Sequence, residues 1–101
     1  MSKADNFTRS FFTDQIKCIE KLSKQEKQIK KIISILIKKR DTGKTIFTIG
    51  NGGSASTASH FVSDLLKTSI IKKTKRFKAI SLVDNLPVIL AWANDVSHAD
   101  I

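Results

Sequence analysis

A histidine and an aspartate four residues apart, directly behind a glycine-rich loop, are the residues of this chain best suited to chemistry. His60 and Asp64 share one face if their segment is a helix, because positions i and i+4 of a helix are neighbours. An imidazole beside a carboxylate can transfer protons or hold a metal ion. The pair therefore predicts a reactive or metal-binding site at this point of the chain.

The segment in front of this pair has the pattern of a strand, a glycine loop and the start of a helix. Residues Thr45–Ile49 are all β-branched or aromatic, and Gly50, Gly52 and Gly53 allow a tight turn. We predict that Ser54 caps the helix that follows. Unpaired backbone N–H groups and the positive end of the helix would then converge on one point, an arrangement that binds phosphate.

Two other interpretations of the glycine loop stay open. Gly50, Gly52 and Ala55 satisfy the dinucleotide-binding pattern G-x-G-x-x-G/A, and Asp84 follows the next predicted strand. The acidic residue of that pattern lies about 20 residues past the glycines, whereas Asp84 is well beyond this point and suits a turn before Pro87. The Lys-Ser/Thr pair of a P-loop is missing. The other interpretation is a glycine turn with a purely structural role.

The rest of the chain predicts helices before this loop, and a second strand and a helix after it. Ser23 and Glu26 have the spacing of a capping box, and Gly43 is suited to end a helix. Strands that alternate with helices pair in parallel through right-handed crossovers. We therefore predict an α/β fold in the order α-α-β-α-β-α. The predicted elements are a helix with Phe12, Ile16, Ile19 and Leu22 on one face, a helix over about Lys24–Thr42, strand Thr45–Ile49, helix Ser54–Thr68, strand Phe77–Val83 and a helix over about Pro87–Asn94.

Two strands are few for a sheet that must bury apolar residues. A two-stranded sheet is rarely stable by itself, because three or more strands are generally needed to build a covered core. We expect poorly covered apolar side chains at Ile46, Phe47, Ile80 and Leu82, and hence a marginally stable or self-associating chain.

The formal net charge of +9 does not by itself indicate a nucleic-acid partner. Most of the 18 basic residues are lysines, spread over predicted helix faces and loops. The densest cluster, residues 72–76, has no interleaved aromatic residue on which a base could stack. We interpret these charges as solvated surface, with attraction of an anionic substrate as the alternative, and we do not expect nucleic-acid binding.

The cysteine content and the short apolar runs indicate where in the cell the protein would be found. Cys18 is the one cysteine and gives no disulfide framework, which favours a reducing compartment. The apolar run at residues 32–37, with Ser34 inside it, is too short to cross a bilayer. We therefore expect a cytoplasmic protein without membrane association.

The motif residues together resemble the sugar isomerase (SIS) domain family. The resemblance rests on Gly-Asn-Gly-Gly-Ser at 50–54, on His60 and Asp64 behind it, and on Trp-Ala-Asn-Asp at 92–95. Within that family the chain is most similar to the D-sedoheptulose 7-phosphate (phosphoheptose) isomerases, over about residues 7–101. The resemblance implies one partial domain, in which residues 1–43 are N-terminal helices and residues 44–101 begin a parallel-sheet, flavodoxin-like α-β-α sandwich whose C-terminal half is absent.

The resemblance also implies roles for individual residues. His60 matches a zinc ligand. Asp64 stands where the family usually has a glutamate that serves as metal ligand and catalytic base. An aspartate side chain is one methylene shorter, and the shorter reach weakens a catalytic base, because a base must lie at a closely defined distance from the proton that it removes. The positions that match substrate contacts are Asn51, Gly52, Gly53, Ser54, Asn94 and Asp95.

The implied activity is aldose–ketose isomerisation of a sugar phosphate, such as sedoheptulose 7-phosphate, through an enediol. Zinc is the implied cofactor, with further ligands from outside this chain, because His60 and Asp64 are fewer than the three or four protein ligands that zinc takes. The resemblance further implies a homo-oligomer, a tetramer in the family. We expect these 101 residues alone to be inactive. The alternative function is that of a non-catalytic phosphosugar-binding regulator, which the aspartate at position 64 favours.

Overall fold

The computed structural model describes residues 2–101, and its helices and strands follow the predicted order. The chain forms two compact units, Met1–Ile35 and Leu36–Ile101, which divide inside the second helix. Among residues 2–101, no helix combines the length and the apolar composition needed to cross a membrane. The elements are α1 Lys3–Ser23, α2 Glu26–Asp41, β1 Thr45–Thr48, α3 Gly53–Ser63, a π-helical turn Asp64–Thr68, β2 Lys78–Ser81, α4 Leu86–Asp95 and a 3-10 turn His98–Asp100.

Helix α1 begins with a capping box that the sequence analysis did not identify. The Asp5 N–H donates to the Ser2 hydroxyl at 3.1 Å, and the Ser2 N–H donates to the Asp5 carboxylate at 3.0 Å. The Ser2 hydroxyl, and after it the Ser2 N–H, lower the pKa of Asp5, because both hydrogen bonds favour the charged carboxylate.

The capping box predicted at Ser23 and Glu26 is wrong. Ser23 lies in the last turn of α1, where its hydroxyl donates to the Glu20 carbonyl at 2.6 Å. A serine hydroxyl near a helix end readily bonds back to the preceding turn, which leaves it unable to cap the next helix. Helix α2 instead begins at Glu26, and the Ile29 N–H donates to the Gln25 carbonyl at 3.0 Å.

Helix α2 ends at Asp41, and Gly43 terminates it, as predicted. Gly43 has a φ of +69°, its N–H donates to the Arg40 carbonyl, and the Lys44 N–H donates to the Lys39 carbonyl at 2.9 Å. This pair of bonds is the Schellman motif that glycine makes possible. The Arg40 guanidinium then lies 5.6 Å from the centre of the Phe77 ring. The end of α2 is thus tied to the segment that enters β2.

Strands β1 and β2 pair in parallel, which confirms the predicted topology. The register places Ile46 opposite Ala79 and Phe47 opposite Ile80. Because side chains alternate along a strand, these two pairs lie on opposite faces of the sheet. The fold is therefore α/β with a parallel sheet, as the sequence predicted.

The core lies between α3, the π-helical turn and one face of this sheet. It consists of two small clusters of buried side chains, one near the start of α3 and one near its end. The first comprises Ala58, Val83 and Ile89, with Ala55 packed against it, and the second comprises Val62, Leu65 and Ala79, with Ile46 and Phe77 packed against it.

The other face of the sheet stays open. Phe47 is 59% exposed, Ile80 51% and Leu82 45%, which confirms the expectation for these three residues. Ile46 is the exception, because its position in the register turns it towards the second core cluster. The sheet therefore packs on one side only.

Gly50 lies where β1 passes into α3, and the backbone approaches itself closely there. A Cβ atom on Gly50 would lie 2.3 Å from the Ser54 carbonyl oxygen, a distance that real side chains do not adopt. A Cβ atom on Gly53 would meet nothing within 4 Å. Of these two glycines, only Gly50 is required for the close approach.

We predict that Gly50→Ala lowers the free energy of unfolding by about 2–3 kcal/mol, because strand and helix must separate to admit the methyl group. The matched control, Gly53→Ala, should change this free energy by about 1 kcal/mol at most, since alanine suits a helix. Urea unfolding followed by circular dichroism measures both. Equal stabilities of the two variants would contradict the close approach.

Candidate functional site

The glycine loop turns into α3 one residue earlier than predicted. Gly52 occupies the N-cap position with a φ of +55°, and no side chain caps the helix. Ser54 is therefore not the N-cap, and that prediction is wrong: the positive φ of Gly52 reverses the chain early, so that Ser54 is already the second residue of α3. The Ser54 N–H donates to the Asn51 carbonyl at 3.0 Å.

Three N–H groups of this loop are left for a ligand. Within residues 2–101, the backbone N–H groups of Asn51, Gly52 and Gly53 have no protein acceptor. All three residues are exposed. Unpaired N–H groups at the positive end of a helix attract anions, so this loop can bind a phosphate group.

His60 in α3 and Asp64, the residue directly after α3, lie close together, as their spacing predicted. His60 Nε2 is 3.7 Å from Asp64 Oδ2, and both side chains are more than half exposed. The other carboxylate oxygen, Oδ1, accepts a hydrogen bond of 3.1 Å from the Thr68 hydroxyl. Asp64 also begins the π-helical turn, a feature often found at functional sites, which the sequence analysis took for ordinary helix.

The geometry of this pair suits part of a zinc site. Two ligand atoms at about 2.0–2.2 Å from a tetrahedral zinc ion are separated by about 3.4 Å, which is close to the observed separation of Nε2 and Oδ2. However, the part of the chain that the structure describes has no group of three or more His, Cys, Asp or Glu side chains that could hold a metal. His60 and Asp64 therefore fit a metal as two ligands of an incomplete set.

A cavity of about 520 Å³ adjoins His60 at the side of α3. It opens widely to solvent, and both hydroxyl and apolar side chains line it. Ser56 and Ser59 were not predicted from the sequence. Ser56 lies four residues before His60, a helical spacing that could have indicated it, whereas Ser59 directly precedes His60 and has no such signal. The lining residues are Ala55, Ser56, Ser59, His60, Val83 and Leu86.

Ser59 links α3 to the end of β2. Its hydroxyl lies 3.3 Å from the hydroxyl of Ser81, which is only 4% exposed, and donates to Asp84 Oδ1 at 3.3 Å. Asp84 lies in the turn after β2, where the sequence analysis placed it. This network fixes one wall of the cavity.

Asn94 and Asp95 do not line the cavity beside His60. They end α4, where the Asn94 side-chain amide donates to Asp95 Oδ1 at 3.2 Å. Asp95 lines a separate cavity of about 230 Å³ together with Trp92. Helix α4 itself packs against α3 through Ile89, so the pair belongs to the same unit without contributing to that cavity.

Comparison with known proteins connects this arrangement to a family. The chain is 31% identical over 98 residues to the phosphoheptose isomerase of Helicobacter pylori, and the aligned region covers 96% of this chain and 50% of that protein. It is 36% identical over 97 residues to the phosphoheptose isomerase of Shewanella denitrificans, 96% of this chain and 47% of that protein. It is also 49% identical over 53 residues to the lincomycin biosynthesis protein LmbN of Streptomyces lincolnensis, 52% of this chain and 19% of that protein.

The chain belongs to the sugar isomerase (SIS) family and corresponds to an N-terminal part of its domain. It spans about half the length of the phosphoheptose isomerases that it matches. No established family profile matches the chain. The positions on which the resemblance rests, namely the glycine loop, His60 and Asp64, follow one another from the N-terminal end of α3 to the residue after its last one.

We predict that Ser59→Ala in this SIS chain lowers the free energy of unfolding by about 1–2 kcal/mol, because the substitution removes the side-chain partner of the buried Ser81 hydroxyl. Ser56→Ala is the matched control on the same helix. Ser56 is exposed, so its substitution should change this free energy by about 0.5 kcal/mol at most. Thermal unfolding measures both variants, and equal midpoints would argue against the network.

Proposed function

We propose that this chain binds a sugar phosphate, such as sedoheptulose 7-phosphate, and supplies one part of an isomerase site. The observation that carries the proposal is a single stripe that runs from the N-cap of α3 to the first residue of the π-helical turn. Gly52, Ser56, His60 and Asp64 recur at every fourth residue, so they succeed one another on one side of the helix. A phosphate at the glycine loop and a sugar chain beside the imidazole would both lie along this stripe.

The dimensions of the stripe support a substrate of this size. Gly53 and His60 are seven residues apart in α3, which corresponds to about 10 Å along the helix axis. An extended seven-carbon sugar phosphate has a comparable length. Its phosphate can thus accept from the loop N–H groups while its far end reaches His60 and Asp64.

The chemistry of these two residues suits proton transfer between neighbouring carbons. The Asp64 carboxylate would remove the proton α to the carbonyl and return it to the former carbonyl carbon of the enediol. The accompanying transfer of the hydroxyl proton to the carbonyl oxygen would need an acid–base group other than these two residues. Binding of the remote phosphate would supply the energy that orients the reacting carbons. His60 and Asp64 would hold a zinc ion together with ligands from elsewhere, and a bound zinc ion polarises carbonyl and enediol oxygens.

A non-catalytic, regulatory function is the second candidate, and a contact of Asp64 favours it. The Thr68 hydroxyl already donates to Asp64 Oδ1, so one carboxylate oxygen is engaged within the helix. The shorter aspartate side chain also reaches less far than a glutamate would. Both features favour binding of a phosphosugar over its conversion.

Self-association is the further part of the proposal, and the surface of α1 supports it. None of the described residues of α1 is buried, although the helix carries a stripe of large apolar side chains. We propose that this stripe joins copies of the chain in a homo-oligomer. The stripe comprises Phe12, Ile16, Ile19 and Leu22, with Phe7 and Phe11 near its start.

We predict that the chain binds sedoheptulose 7-phosphate more tightly than unphosphorylated sedoheptulose. His60→Ala should weaken binding of the phosphorylated sugar at least about fivefold, or about 1 kcal/mol. His98→Ala is the matched control, because this other imidazole lies in the 3-10 turn and not in the stripe. NMR titration measures the dissociation constants, and equal affinity of both variants would count against the proposed site.

An activity assay then distinguishes the isomerase from the regulator. The 101 residues alone, supplied with zinc and sedoheptulose 7-phosphate, should show no turnover, because the ligand set for the metal is incomplete. Turnover that His60→Ala and Asp64→Asn both abolish would show instead that this part of the site is sufficient. Failure to bind any sugar phosphate would contradict both candidate functions.

A further inference from the structure

Asp84 lies at the edge of the sheet from which the glycine loop also starts, but the proposed function gives it no role. Asp84 comes three residues after the end of β2, and Asn51 of the glycine loop comes three residues after the end of β1. Thr48 and Ser81, the last residues of the two strands, are partners in the parallel register. The glycine loop and Asp84 therefore follow neighbouring carboxyl ends of one sheet, which is where open α/β sheets bind their ligands.

Dinucleotide-binding folds combine a glycine loop and an acidic residue in a similar way. Their glycine loop holds phosphate, and the acidic residue accepts a hydrogen bond from a ribose hydroxyl. In this chain the acidic residue comes later in the sequence, because α3 continues into the π-helical turn and a loop precedes β2. The sequence spacing thus departs from the dinucleotide pattern, while the combination of a phosphate-binding loop and a nearby carboxylate is retained.

A chain of hydroxyl groups orients the Asp84 carboxylate. The Ser59 hydroxyl donates its single proton to Asp84 Oδ1 at 3.3 Å, so Ser81 donates the hydrogen bond of 3.3 Å that joins the two serine hydroxyls. Ser81 is only 4% exposed, whereas Asp84 is exposed. The buried end of this hydrogen-bonded chain therefore holds a carboxylate that solvent and ligands can reach.

The other carboxylate oxygen of Asp84, Oδ2, is available to a ligand. Among residues 2–101 it accepts no hydrogen bond. Asp84 directly follows Val83 and is hydrogen-bonded to Ser59, and both of these residues line the cavity beside His60. A carboxylate in this position can accept hydrogen bonds from the hydroxyl groups of a ligand in the cavity.

We propose that Asp84 is a specificity-determining residue that accepts hydrogen bonds from neighbouring hydroxyl groups of the bound sugar phosphate. The inference rests on the proposed function and adds to it that the site selects a polyhydroxylated chain over a plain alkyl phosphate. A site that hydrogen-bonds a substrate hydroxyl discriminates against an analogue that lacks it, because the protein group is then left without its partner.

A purely structural role of Asp84 predicts a different result. If the carboxylate only tied the turn after β2 to Ser59, its loss would disturb the cavity for every ligand alike. A carboxylate that binds hydroxyl groups affects only ligands that carry them. Its negative charge also contributes nothing favourable to phosphate binding at the glycine loop, so neutralising it leaves the binding of a plain alkyl phosphate intact.

NMR titration of the 101-residue chain with sedoheptulose 7-phosphate and with n-propyl phosphate tests the proposal. Asp84→Asn should weaken binding of the sugar phosphate at least about fivefold and change that of propyl phosphate less than about twofold. The matched control is Asp100→Asn, because Asp100 is an exposed aspartate of the 3-10 turn, where it accepts from the Ser97 hydroxyl. This control should leave both affinities unchanged.

A second variant, Asp84→Glu, keeps the charge but moves the carboxylate by one methylene. It should weaken binding of sedoheptulose 7-phosphate at least about threefold, again without an effect on propyl phosphate. The amide spectrum of each variant shows whether it retains the fold of the parent chain. The two variants together separate the position of the carboxylate from its charge.

Three contrary results are distinct. A parent chain that binds no sugar phosphate would contradict the proposed function and this inference with it. A parent chain that binds sedoheptulose 7-phosphate as well as its Asp84 variants do, or variants that lose both ligands equally, would overturn this inference alone. Tighter binding of AMP than of sedoheptulose 7-phosphate would show that the loop and Asp84 serve a nucleotide, and it would also overturn the inference.

Discussion

The packing of α3 against one face of the two-stranded sheet is the interaction on which the rest of this structure depends. Ala58, Val62 and Leu65 turn towards the sheet and bury the small core, in which Ala79 is the contact from β2. The opposite side of α3 must then face outwards. Because His60 and Asp64 alternate with these buried positions along the helix, the same packing that stabilises the unit exposes the pair to a ligand.

The sequence predicted those parts of the fold that depend on the conformational preferences and spacing of neighbouring residues. Gly43 ends α2 because glycine adopts a positive φ at low cost, and this is visible in the sequence. The parallel pairing follows from the alternation of strands and helices, and the shared face of His60 and Asp64 follows from helical spacing. These predictions needed no knowledge of contacts between distant residues.

The features that the sequence did not reveal depend on competition between local signals or on distant contacts. Ser54 looked like an N-cap, but Gly52 turned the chain first. The hydroxyl network of Ser59 joins residues 22 and 25 positions apart, and no local pattern reports such a pairing. The π-helical turn at Asp64 has the same composition as ordinary helix, so only the backbone geometry distinguishes it.

The chain matches about half of each related phosphoheptose isomerase, and its two-stranded sheet is covered on one face only. Its described residues offer two neighbouring ligand atoms where zinc needs three or four, and one covered sheet face where a parallel sheet needs two. We propose that the chain contributes a phosphate-binding loop at the start of α3 and the stripe of residues behind it. The glycine loop is therefore the element whose role must be tested first.

A crystal structure of the chain with sedoheptulose 7-phosphate tests this central claim most directly. Our account predicts phosphate density within hydrogen-bonding distance of the backbone N–H groups of Asn51, Gly52 and Gly53, with the sugar chain extending along α3 towards His60. Density for the ligand at another surface would contradict it, and so would the absence of ligand density at the glycine loop in crystals grown at saturating ligand concentration.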